Sequence, residues 1–119
     1  MRKILFVAVC MLITGAAGAA DDVMANFYGN TVVGTGGLAE THTYFKPDHT
    51  FEMKAPAFGV EFTGTWSLEG DKLCRTFETL PPGVTNPLCS PIAVHKIGDV
   101  WTVDMNDQTI TLTLVEGQQ

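Results

Sequence analysis

From Asn30 onward, apolar and polar residues alternate with a period of two. The clearest stretch is VEFTGTWSLE. Val60, Phe62, Gly64, Trp66 and Leu68 fall on one side, and Glu61, Thr63, Thr65, Ser67 and Glu69 on the other. Successive side chains of a strand point to opposite faces, so this is the signature of a half-buried β-strand. KLCRTFET continues it, with Leu73 and Phe77 on one face and Cys74, Thr76 and Glu78 on the other. Trp101, Val103 and Met105, then Ile110, Leu112 and Leu114, repeat the pattern nearer the C-terminus. Gly70-Asp71, the NDQ run and Pro47-Asp48 supply turns between these runs.

The pattern predicts about eight short strands, near 30–34, 41–46, 50–55, 60–69, 72–79, 88–95, 100–105 and 109–115. Most links are short, which favours antiparallel neighbours. One-sided alternation disfavours a parallel sheet buried on both faces. The expected fold is all-β: a small eight-stranded, antiparallel, up-and-down, lipocalin-like barrel without free edges. A two-sheet β-sandwich is the alternative. The candidate barrel interior is Phe62, Trp66, Leu68, Phe77, Trp101, Val103, Met105 and Leu112. Ahead of the strands, DDVMANFYG predicts a short helix, capped by Asp21 or Asp22 and ended by Gly29.

The first twenty residues have another organisation. Arg2 and Lys3 precede an apolar run at 4–13, and small residues follow to Ala20. That order predicts a cleaved signal peptide over 1–20 and a single β-barrel domain over 21–119. The run is about half of the roughly 20 residues that a spanning helix needs, so no membrane span is expected in the mature chain. The expected location is the periplasm or the medium.

Charge narrows the partners. Loss of the leader leaves Lys46, Lys54, Lys72, Arg75 and Lys96 against thirteen acids. Nucleic acid requires a basic patch, and none is visible. The leader also carries away Cys10, leaving Cys74 and Cys89. In an oxidising compartment this pair is expected as a disulfide.

No residues assemble into a catalytic or metal-binding motif. His42, His49 and His95 lack ligand spacing, and Met53 and Met105 alternate with other core positions. Glu52, Glu61, Glu69 and Glu78 lie on polar strand faces. Ser67 and Ser90 lack the Gly-x-Ser-x-Gly setting of a nucleophile. GTGGLAE has neither the lysine nor the following helix of a phosphate loop. The expectation is a non-enzymatic protein with no catalytic residues, no metal and no cofactor. The remaining candidate is the segment between the cysteines. Leu80, Pro81, Pro82, Gly83, Val84 and Pro87 form a stiffened, uncharged loop, read as an exposed partner-facing tip or as a lid over the barrel mouth.

The runs FYGNTVVG, YFKPDHTF, GTWSLEGDKLC, NPLC, KIGDVWTV and TLTLVEG resemble a group of small exported bacterial proteins without an assigned activity. Their pattern is Gly-Asn-Thr, Asp-Gly-Thr, Gly-Thr-Trp, Leu-Cys and a second Cys. Here His49 takes the place of the usual turn glycine. The resemblance implies a single-disulfide barrel and no particular chemistry. In architecture the chain is also similar to periplasmic protease and lysozyme inhibitor barrels. It lacks the Ser-Gly-x-x-Tyr motif of the lysozyme inhibitors. Two functions are therefore expected of such a chain. One is to carry or sense a small apolar ligand inside the barrel. The alternative is inhibition of, or interaction with, another exported protein through the 80–87 loop.

Overall fold

The computed structural model describes residues 22–105 and 107–119. The leader expected over 1–20 lies outside them. Eight strands form one antiparallel sheet: β1 Thr31–Thr35, β2 Thr41–Phe45, β3 Thr50–Ala55, β4 Val60–Glu69, β5 Lys72–Phe77, β6 Leu88–Pro91, β7 Val100–Met105 and β8 Gln108–Val115. Consecutive strands pair from β1 to β6. The β7–β8 hairpin then joins by β8 pairing with β1, giving the order β6-β5-β4-β3-β2-β1-β8-β7. This is an up-and-down barrel curled almost to closure, and the two-sheet sandwich is not adopted.

The closure differs from the expectation in one respect. No ladder joins β6 to β7, so a seam remains between them. The physical reason is local. The strand expected over 88–95 stops at Pro91, and Pro87 and Pro91 lack the N–H groups that a ladder requires. The next N–H, of Ile92, is donated to the Asp71 carbonyl 3.0 Å away. His95 consequently lies in the β6–β7 connection and stacks on Trp101, with ring centroids 3.6 Å apart.

The disulfide lies beside this seam. Cys74 and Cys89 are directly opposite one another in the β5–β6 register and are bonded. Residues 72–79 were expected as one strand, but β5 ends at Phe77. There Asn86 acts as a surrogate strand: its side chain accepts from Phe77 N at 2.8 Å and donates to Phe77 O at 2.9 Å.

The expected N-terminal helix is a single 3₁₀ segment, Asp22–Phe27. It serves as a plug. Met24 and Phe27 are fully buried, and the Phe27 ring lies 6.0 Å from Phe45 and 6.2 Å from Trp101. The same end holds the β2–β3 turn, where His49 adopts a left-handed φ of 69° and stacks on Trp66 at 4.0 Å. A non-glycine residue there carries a conformational cost. The ring stack offsets it, which accounts for a histidine at this left-handed position. Trp66 Nε1 donates to the Lys46 carbonyl at 3.0 Å, completing this closed end. Among the described residues, no helix is long and apolar enough to cross a membrane.

Candidate functional site

Up-and-down topology sorts the connections by end. The N-terminal plug and the β2–β3, β4–β5 and β6–β7 links lie at the closed end. The β1–β2, β3–β4, β5–β6 and β7–β8 links lie at the other. Four large apolar side chains are exposed at that second end: Leu38, Phe58, Val60 and Leu80. They rim a mouth.

Behind the mouth is a cavity of about 540 Å³. Its wall is the inner face of every strand, from Val32 and Gly34 of β1 to Ile110 and Leu112 of β8. Phe27 contributes its floor. The volume lies within the roughly 300–1,000 Å³ typical of small-molecule sites. The wall is mostly aliphatic and aromatic, with hydroxyl groups at Thr41, Thr43 and Ser90 and an amide at Gln108.

The expected interior residues divide into two sets. Phe62, Phe77, Trp101, Val103, Met105 and Leu112 line the cavity. Trp66 and Leu68 share the inner face of β4 without lining the cavity: Trp66 is buried at the closed end and Leu68 is partly buried against the core. The 80–87 loop folds toward the lumen. Pro81, Pro82 and Val84 line the cavity, Pro81 is buried and Val84 packs against the core. Leu80 is 47% exposed at the rim, and Pro82, Gly83 and Pro87 are exposed, Pro82 at the edge of the cavity. The picture of Val84 as an exposed tip is therefore corrected: the three-residue step from Pro81 returns it inward, with Val84 N bonded to the Pro81 carbonyl at 3.2 Å.

One residue of the wall was overlooked in the sequence. Arg75 lies between Leu73 and Phe77 with the same parity, so it faces the lumen, and it lines the cavity. Period two alone placed it there. Its Nη1 lies 3.9 Å from Met53 Sδ, and the guanidinium sits 5.6 Å from the Phe51 ring centre and 5.3 Å from that of Phe77. Burial lowers its pKa to about 10, which leaves it charged at neutral pH.

Two of the other cations are engaged on the outside. Lys46 pairs with Glu52 at 2.7 Å, and this hydrogen bond raises the lysine pKa. Lys54 lies 3.9 Å from Glu61. The histidines are dispersed: His42 bonds Glu40 at 2.6 Å, while His49 and His95 stack on different tryptophans. No group of three or more potential metal-ligating side chains forms among the described residues.

No protein-family model, curated protein or solved structure matches the chain.

Proposed function

We propose that the protein is an exported, non-enzymatic binding protein that holds a small apolar or amphipathic ligand inside its barrel. The observation that carries this reading is the apolar cavity of about 540 Å³, floored by Phe27 and open toward a rim of exposed apolar side chains. Apolar surface left exposed in a wall of this kind gains free energy when a ligand covers it. Export is supported by the leader pattern and by the Cys74–Cys89 bond, which suits an oxidising compartment. The inward set of Pro81, Pro82 and Val84 favours a lid role for the 80–87 loop over a separate partner-facing surface.

Titration with Nile red, a neutral apolar dye, tests the proposal. Saturable one-to-one binding is expected, weakened in a folded Val103→Trp variant that fills the lumen. Absence of saturable binding, or equal binding by the filled variant, would refute it.

A further inference from the structure

We infer that Arg75 selects the head group of the ligand, so that the barrel prefers an amphiphile with a carboxylate head to a neutral one of the same length. The inference rests on the proposal that the lumen is the ligand site.

Among the described residues of the cavity wall, Arg75 alone carries a full charge, and no aspartate or glutamate stands there. The aspartates and glutamates among the described residues are elsewhere. No carboxylate among the described residues forms a salt bridge with Arg75, although such bridges engage Lys46 and Lys54 outside. What the guanidinium touches is a thioether and two phenyl faces. A thioether is a weak acceptor and an aromatic face accepts no strong hydrogen bond. Among the described residues, most of its five N–H donors therefore have no strong protein acceptor.

A half-buried cation without an anion is costly, and an occupant that supplies one removes that cost. The fork of donors matches the two oxygens of a carboxylate, and charge-assisted bonds of this type are roughly twice as strong as neutral ones. Ser90 can add to the head-group site. The β5–β6 register sets Ser90 opposite Leu73 and Leu88 opposite Arg75, which makes Ser90 a diagonal neighbour of Arg75 on the lumen wall. The apolar remainder of the wall then covers the tail.

Dodecanoate, dodecanol and dodecylamine separate the possibilities when each displaces Nile red at neutral pH. The wild type should bind dodecanoate roughly ten- to a hundredfold more tightly than dodecanol, with dodecylamine weakest. Arg75→Gln should bring dodecanoate down to the level of dodecanol while leaving dodecanol and Nile red almost unchanged. Arg75→Met provides the same comparison with an apolar side chain, and far-ultraviolet circular dichroism establishes that both variants are folded. Equal affinity of the wild type for dodecanoate and dodecanol would overturn the inference and leave the lumen proposal standing. A carboxylate preference that survives in folded Arg75→Gln and Arg75→Met would do the same. Failure of every ligand, Nile red included, would instead remove the lumen proposal and the inference with it.

Discussion

Arg75 and Met53 meet across an intervening strand, with Nη1 of the guanidinium 3.9 Å from the thioether sulfur. They belong to β5 and β3, and β4 lies between them. The wall beneath this contact is thin because Gly64 of β4 stands opposite both Phe51 and Phe77. Across its bare backbone the two phenyl rings meet edge to face, 5.0 Å apart. The guanidinium lies over both rings, so a charged group is held in an apolar wall by aromatic faces and a sulfur atom.

The first prediction is a gain in stability when the charge is removed. The folded pKa of Arg75, about 10, is below the ordinary value of a guanidinium. Folding therefore disfavours its proton, and the cost is fully present below pH 10 and fades as pH rises toward the ordinary value. Arg75→Met should stabilise the ligand-free protein at neutral pH by about 0.5–2 kcal/mol in urea titrations. A marked loss of stability would show that the arginine is a structural element.

Gly64→Ala should be damaging. A Cβ at this position would stand 2.0 Å from the Thr76 carbonyl oxygen and 2.9 Å from the Phe51 ring. Backbone cannot yield as a flexible side chain can, so a loss of about 1–3 kcal/mol is expected. Thermal unfolding measures it, and an unchanged midpoint would contradict the close approach of β4 and β5.

Trp66→Ala should cost about 3–5 kcal/mol. The side chain is 2% exposed, stacks on His49 and donates to the Lys46 carbonyl. Thr65, its exposed neighbour on the outer face, supplies the control, and Thr65→Ala should change stability by less than about 0.5 kcal/mol. Similar costs in denaturant titrations would mean that the faces of β4 are misassigned.

Reduction of the Cys74–Cys89 bond should lower stability by about 3 kcal/mol, as expected for a loop closed over a sequence separation of 15. The effect should be greatest at β6, an edge strand paired only with β5. Hydrogen exchange at Leu88–Pro91 checks this. Uniform protection before and after reduction would contradict it.

Acid should weaken the β2–β3 turn. Asp48 accepts from the Thr50 hydroxyl at 2.6 Å and from Thr50 N at 3.0 Å, and these bonds lower its pKa below 3.8. A depressed carboxylate stabilises the fold above its ordinary pKa, and that contribution is lost as pH falls through the folded value. The stability gap between wild type and Asp48→Asn should therefore shrink from about pH 6 to about pH 3. A constant gap would show that this carboxylate contributes no pH dependence.

Much of this architecture was legible because strand parity is a local property. The alternation in VEFTGTWSLE was enough to sort β4 into inner and outer faces, and Thr65 and Trp66 lie on opposite faces as that alternation requires. The seam was not legible, because alternation specifies which face a residue occupies and not which strands pair. Arg75 was overlooked for a different reason. A charged residue in an acidic chain reads as a solvated one, although its parity with Leu73 and Phe77 placed it inside. Alternation also cannot distinguish a filled core from a hollow one, since Val103 or Leu112 has the same parity in either. The inward return of Val84 depends on turn geometry after Pro81, which composition does not specify.

If the lumen accepts an apolar molecule, the two tryptophans of the chain report it directly. Trp101 lines the cavity, whereas Trp66 is buried at the closed end and does not line it. In a Trp66→Phe variant, Trp101 becomes the sole emitter, and a brominated long-chain alcohol quenches an indole only on contact. Saturable, stoichiometric quenching of Trp101, reversed by excess dodecanol, is expected. Unquenched Trp101 emission at concentrations where the alcohol binds the folded protein would contradict it.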